Sequence, residues 1–325
     1  MQLTTSDRAL RVRAIGPDEL DAWLRVGAAD PSADAVARRL TGAWSSGSSA
    51  PDRTFVLERR GEPVGRVAYV GEPAATVLPD VHEASVLGLW LPWAAPHVVE
   101  LGRELLRRTF PSLRPPIRFV DAYANPSYMV HVDIRRAIFE GAGMSLFQEK
   151  RGFRWDSAGR PGEPPAGPGR LTFRALPEVG RDLLASVMSR ATIGTLDRQD
   201  RYYSELVGPE NWGPEMLGYL TPGDEADWLL AYDKAGDPVG YALLSTFERP
   251  DRGTIAHIGV VPEARGRGYV DELLAELEQH ARRRGFTQVL SDSDVANHPM
   301  HAAFERAGHR SAATDWHVWH YRLEL

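Results

Sequence analysis

Ile255–Leu274 reads IAHIGVVPEARGRGYVDELL: an apolar strand ending at Pro262, a loop carrying Arg265, Gly266, Arg267 and Gly268, and an amphipathic helix that begins at once. A helix start presents unbonded backbone N–H groups and the positive end of the helix dipole, and glycines let a bulky anion approach those groups closely. Two arginines add charge and forked donors, so a diphosphate is the natural ligand of such a loop. A P-loop would need Lys followed by Ser or Thr after its last glycine, and Gly268 is followed by Tyr269 and Val270. A dinucleotide fingerprint would need a third glycine three residues after Gly268, where Asp271 stands. Both readings fail. In the helix, Val270, Leu273, Leu274, Leu277 and Ala281 make one apolar face, with Asp271, Glu272 and Glu276 expected outside it.

Beyond the next strand, Thr287–Asp292, come Asn297, His298, Pro299 and Met300, then a small helix with Ala303 and Phe304, closing on Gly308. Together with Arg265 and Gly268, this pattern resembles the GNAT (GCN5-related) superfamily of N-acetyltransferases, whose acyl-coenzyme A loop runs Arg or Gln, two residues, Gly, one residue, then Gly or Ala. Val270 departs from the last position. Phe304 stands where the family commonly has a tyrosine that protonates the departing thiolate, so that role does not carry over. The resemblance covers Leu171–Tyr321 and, in outline, Leu10–Trp155.

The resemblance implies acetyl-CoA as acyl donor, contacted by Ile258, Gly259, Val260, Arg265, Gly266, Arg267, Gly268, Tyr269, Val270, Asn297 and Phe304. Pantetheine would lie where the strand Thr254–Val261 splays from Thr287–Asp292, with one amide, that of Val260, serving the developing oxyanion. An alkylammonium acceptor needs a base or a water relay, and His257 interrupts the apolar strand beside the expected thioester. Asp292 and Asp294, at the end of the facing strand, are candidates to orient an ammonium or accept its proton. Asp197–Trp212 (DRQDRYYSELVGPENW) lies where the family roofs its acceptor site, and Asp197, Asp200, Tyr202, Tyr203 and Trp212 suit a cationic, partly apolar amine. Each has a plainer alternative: a half-buried histidine bonded to a neighbour, turn chemistry for the aspartates, a helix cap for Asn297, a solvated helix face for the 197–212 segment, and an exposed arginine-rich turn for the loop. His298 and His301 have no third ligand in the pattern, and no metal is expected.

Asp156–Arg170 (DSAGRPGEPPAGPGR) has Gly or Pro at eight of fifteen places, so neither helix nor sheet runs through it. It divides the chain into similar halves. Leu10–Ile15 (LRVRAI) pairs with Leu171–Leu176 (LTFRAL), Gly61–Gly65 (GEPVG) with Gly236–Gly240 (GDPVG), and Phe139–Gly143 (FEGAG) with Phe304–Gly308 (FERAG), at offsets of 161, 175 and 165. Three matches in register point to a duplication. The expected fold class is therefore α/β, two tandem GNAT-like domains, each a mixed central sheet flanked by helices: 1–155 a degenerate domain, 156–170 the linker, and 171–325 the acyl-CoA-binding domain. The first half has lost the loop: Pro92–Val99 (PWAAPHVV) holds no arginine or glycine, and Pro96 lacks an N–H. In the last strand, Trp316, His317, Trp319, His320 and Tyr321 are expected as core and interface residues.

Composition sets the outer limits. The 325 residues are 43% hydrophobic and 25% charged, which suits globular cores, and the absence of cysteine excludes disulfides, cysteine-ligated metal and a thiol nucleophile. A net charge of −6 argues against a nucleic-acid partner. Met1–Ile15 has no apolar core of signal-peptide length, and the longest apolar stretch, Ala84–Val99, is too short to span a bilayer and reads as a buried strand entering a helix. The expectation is a cytoplasmic N-acetyltransferase acting on a small-molecule amine, with no membrane partner, as monomer or homodimer. A donor-binding module without turnover and acetylation of a peptide amine are the alternatives. Lys150 and Lys234 are the only lysines, a bias read as that of the coding sequence and given no functional weight.

Overall fold

The structure is a computed structural model that describes residues 10–71, 82–113, 117–126, 129–158, 169–220, 224–246, 251–311 and 317–325. Most of the Gly/Pro-rich segment, and Trp316, lie outside the described residues. The chain forms two compact units, Met1–Gln148 with Val318–Leu325, and Glu149–His317. Only the second unit is continuous in sequence: the chain's last eight residues belong to the first, and the second begins at Glu149, before the Gly/Pro-rich segment.

The first unit contains β1 (Leu10–Ala14), α1 (Leu20–Arg25), α2 (Ala33–Ser46), β2 (Thr54–Arg59), β3 (Glu62–Gly71), β4 (His82–Trp90), α3 (Val98–Thr109), β5 (Ile117–Ala124) and α4 (Val132–Gly141), and takes in β12 (His317–Glu324) from Val318 on. Its strands run in the order β1-β2-β3-β4-β5-β12, antiparallel except for β4 with β5. Strand alternation splits the core into two layers. Phe55, Leu57, Val67 and Tyr69 pack with Leu101, Leu105, Ile138 and Phe139 of α3 and α4, whereas Val56, Ala68 and Val70 pack with Trp23, Val36 and Leu40 of α1 and α2.

The second unit takes β6 (Ser145–Asp156) from Glu149 on. It then holds β7 (Thr172–Ala175), α5 (Leu176–Val179), α6 (Arg181–Thr192), α7 (Arg198–Val207), α8 (Pro209–Tyr219), β8 (Trp228–Tyr232), β9 (Pro238–Thr246), β10 (Arg252–Val260), α9 (Tyr269–Arg283), β11 (Gln288–Asp294) and α10 (His298–Arg306). Its strand order is β6-β11-β10-β9-β8-β7, again antiparallel except for β10 with β11. The 197–212 segment forms α7 and the first part of α8, which runs on to Tyr219, and the periodic helix expected directly after Gly268 begins at Tyr269. Gly143 and Gly308, which close the two matching helices, have φ of +100° and +83°, the left-handed geometry that favours glycine there.

Leu273, Leu274, Leu277 and Ala281 of α9 are buried as the pattern requires, but Glu272, expected on the outer face, is only 7% exposed. Its carboxylate accepts from the backbone N–H of Arg170 (2.7 Å), Nε of Arg170 (2.6 Å) and the N–H of Leu171 (3.2 Å). Three donors compensate its desolvation. Among the described residues, no helix is long and apolar enough to cross a membrane.

Candidate active site

The parallel pairing of β10 with β11 is short. Arg252, Gly253 and Thr254 pair with Gln288, Val289 and Leu290, and there the ladder stops. β11 continues against β6 as far as Asp294 with Lys150, while β10 follows β9 to Val260 with Gly240, so the two strands part. An irregularity between Ile255 and His257 accompanies the parting. It places an extra residue in β10, so Ile255 and Ile258 both reach the Phe153, Leu274 and Phe304 cluster while His257 faces the opposite side. Val261 N–H donates to Val239 O at 3.0 Å, and antiparallel pairing alternates. Gly259 therefore spends its backbone groups on β9, and the amides of Ile258 and Val260 point into the gap beside β11.

The loop follows directly. Gly266 and Gly268 have φ of +72° and +75°, conformations a side chain disfavours. Among the described residues, the N–H groups of Gly266, Arg267 and Gly268 donate to no protein group, and they lead into the free first turn of α9. Arg265 does not face this concavity. Its guanidinium donates to Val260 O (3.1 Å), Gly194 O (3.4 Å) and Ala191 O (2.7 Å), which fastens the loop to the carbonyl end of α6. Arg267 donates to Glu263 O at 2.9 Å. Val270 turns inward onto the cluster containing Phe153 and Phe304. Asn297 accepts from Met300 N–H at 3.3 Å and so caps α10. Phe304 is 1% exposed, with its ring 4.8 Å from that of Phe153. It is a core residue here, as its loss of the hydroxyl suits.

On the other side of the sheet a polar cluster forms. Adding a Cβ to Gly240 would meet Leu273 of α9, so its neighbour Tyr241 faces the opposite way, toward His257. The Tyr241 hydroxyl lies 2.8 Å from His257 Nδ1, and His257 Nε2 lies 3.2 Å from Asp200 Oδ2. Trp212 of α8 packs edge-on against the imidazole at 5.3 Å. Burial pulls the His257 imidazolium down, but the Asp200 charge and its hydrogen bond, with Asp197 adding, outweigh it and hold His257 above its ordinary value. Burial also keeps the Tyr241 phenol protonated, its pKa raised further by Asp200.

Asp200 is placed by the cap of α7, where Asp197 Oδ1 accepts from Gln199 N–H (2.9 Å) and Asp200 N–H (3.1 Å). Lys150 of β6 closes the cluster, with Nζ 3.3 Å from Asp292 Oδ1 and 3.6 Å from Asp197 Oδ2. Burial opposes its charge, yet the carboxylates of Asp292, Asp197 and Asp200 prevail and hold the ammonium well above the usual lysine range. Asp294 is spent on structure: it accepts from Arg198 N–H (3.2 Å) and Ala296 N–H (2.9 Å). Tyr202 and Tyr203 lie half-buried on α7, edge to face at 5.4 Å. His257, Asp200, Asp197, Trp212 and Asp292 thus come together, and Lys150 and Tyr241 join them without having been expected. The scarcity of lysine was the available signal for Lys150.

Residues 195–309 match the acetyltransferase (GNAT) family. The chain carries a GNAT acetyltransferase domain. A GCN5-related N-acetyltransferase from Sphaerobacter thermophilus superposes with a TM-score of 0.60 at 18% identity, covering 97% of this chain and 96% of that one. A tandem GNAT protein from the clavulanic acid biosynthesis pathway, solved without AcCoA, superposes with 0.55 at 18% identity over 97% and 98% of the two chains. At these identities the likeness is one of fold, and the fold is the tandem GNAT type. No curated protein sequence matches the chain.

The first unit shows what the GNAT gap looks like when filled. β4 and β5 also part, after Ser85 pairs with Asp121. Arg135 of α4 enters there: Nη1 donates to Leu89 O (3.0 Å), Nε donates to Val130 O (2.9 Å), and the guanidinium lies 4.4 Å from the Trp93 ring. Desolvation lowers the Arg135 pKa to about 10, with Asp30 opposing the shift.

Proposed function

We propose that this protein is an acyl-CoA-dependent N-acyltransferase that moves an acetyl group to the primary amine of a small molecule by direct attack. The observation that carries this reading is the parting of β10 from β11 after Thr254, which leaves the Ile258 and Val260 amides unspent immediately before a glycine loop rich in free N–H groups. Acetyl-CoA supplies the acyl group as a thioester. The loop N–H groups suit its diphosphate, and the amides along β10 suit its amide-bearing arm. The Val260 N–H is the donor placed for negative charge that develops on the thioester oxygen.

The acceptor approaches from the α7 and α8 side. Asp292, Asp197 and Asp200 attract an ammonium, and Trp212 with Tyr202 and Tyr203 offers aromatic surface to its carbon skeleton. The ammonium must lose a proton before it attacks. Asp200 accepts it and passes it to neutral His257 at Nε2, while His257 Nδ1–H donates to the Tyr241 hydroxyl oxygen and holds the tautomer whose Nε2 is free to take the proton. Collapse of the tetrahedral adduct breaks the carbon–sulfur bond. The thiolate leaves with little assistance, because a thiol of pKa about 8.5 is a fair leaving group near neutral pH.

Equilibrium binding of acetyl-CoA to the full chain, followed by thiol release across a panel of amines, amino sugars and peptide N-termini, tests the proposal. Turnover with a small amine is the expected result. Absence of acetyl-CoA binding removes the reading, and binding with no turnover on any acceptor leaves a donor-binding module in its place.

A further inference from the structure

Arg265 is committed to three carbonyls and Arg267 donates to Glu263 O, and the structure supplies a further cation that the loop sequence does not contain. Arg170 lies a hundred residues earlier, at the end of the Gly/Pro-rich segment. Its Nε is fixed by Glu272 Oε1 at 2.6 Å, and its Nη1 by Arg267 O at 2.6 Å, a carbonyl of the glycine loop itself. The guanidinium lies 5.0 Å from the Tyr269 ring. Its Nη2 stands 3.6 Å from where a Cβ on Gly268 would be, and among the described residues it donates to no protein group.

We propose that Arg170 is the residue that binds the anionic head of the acyl donor, and that Arg265 is a strut between the donor loop and α6. This rests on the acyl-CoA reading given above. The arrangement is that of an oriented anion receptor. Glu272 is 7% exposed and sits behind the arginine, while the Arg170 side chain is 35% exposed. A buried carboxylate thus fixes the fork from within and leaves its outer edge for a phosphate. The same carboxylate takes the backbone N–H groups of Arg170 and Leu171, so the chain here is pinned as well as the side chain. Loop N–H groups and guanidinium edge then lie side by side at Gly268, where one phosphate can meet both.

The test is a titration of the full chain and its Arg170→Ala and Arg170→Lys variants with three probes: coenzyme A, 3′-dephospho-coenzyme A and S-acetylpantetheine. Arg170→Ala is expected to weaken coenzyme A by about tenfold or more and to leave S-acetylpantetheine unchanged. Arg170→Lys recovers part of the loss, since it restores charge without the fork. The dephospho probe shows which phosphate is held: an unaltered loss with it assigns Arg170 to the diphosphate, and a vanished loss assigns it to the 3′-phosphate. Equal weakening of coenzyme A and S-acetylpantetheine overturns the assignment, because Arg170 then only shapes the loop. So does an Arg170→Ala variant that binds coenzyme A as the parent does. A parent chain that binds no coenzyme A removes the acyl-CoA reading itself, a result distinguishable from both.

Discussion

The Lys150 ammonium lies 3.3 Å from the Asp292 carboxylate, at the point where β6 and β11 pair and where the acidic face of α7 meets them. One cation is thereby set among three carboxylates beside His257. Its field opposes the proton on His257, whereas those of Asp200 and Asp197 favour it. Lys150→Met removes the opposing charge, so the His257 pKa rises and the acid limb of the pH profile of kcat/KM moves to higher pH. A pH–rate series on parent and variant with one amine reads this directly. An acid limb that stays in place, or moves down, contradicts His257 as the titrating base.

Asp200→Asn acts in the opposite sense. It removes the principal charge that raises His257, so the acid limb moves down, and kcat falls by about a hundredfold or more as the route for the proton is cut. Stability carries an independent signature. A histidine whose folded pKa is raised contributes stability that is complete below its ordinary value near 6.5 and is lost as pH climbs through the folded value. The Tm gap between parent and Asp200→Asn is therefore widest near pH 6 and narrows toward pH 9. A gap that is constant over that range shows the His257–Asp200 pair does not titrate.

Much of the second unit was legible because its chemistry is local. A strand, a glycine loop and a 3.6-period helix in direct succession define β10, the loop and α9. What escaped is non-local. Lys150 reaches the site on β6, a strand that precedes the Gly/Pro-rich segment, and the first unit takes its β12 from the chain's end. A boundary drawn at the linker cannot see such strands change unit. The side chain of Arg265 was misleading for a related reason: its spacing specifies a place in the loop, and the competing carbonyls of Ala191 and Gly194 lie some 70 residues away in sequence.

The helix pair that carries Trp212 to His257 depends on a close approach. A Cβ on Gly213 of α8 would lie 2.0 Å from Ala185 O and 2.8 Å from Ser189 Oγ, which accepts from Gly213 N–H at 2.9 Å. Gly213→Ala forces α6 and α8 apart and is expected to cost about 3 kcal/mol. Gly218 in the same helix meets nothing within 4 Å of an added Cβ, so Gly218→Ala is expected to be neutral or to stabilise by up to about 1 kcal/mol. Urea denaturation of both variants separates a packing role from simple helix propensity. Equal effects would mean that the α6–α8 approach is not as close as described.

Duplication of the fold raises the question of how many donors one chain binds. Both units part a parallel strand pair, but the first fills its opening with Arg135, whose guanidinium takes the Leu89 carbonyl and stacks on Trp93. The loop beside that opening carries Pro96, which has no N–H to give, and α3 begins at Val98 without a glycine before it. An arriving thioester arm would have to displace a buried cation from its carbonyl partners, which is strongly unfavourable. Calorimetric titration of the full chain with acetyl-CoA should therefore level off at one molecule per chain. Arg265→Ala, which loosens only the second unit, should weaken that one event. A second, independent binding step in the parent would show that the Arg135 plug yields, and that both units are receptive.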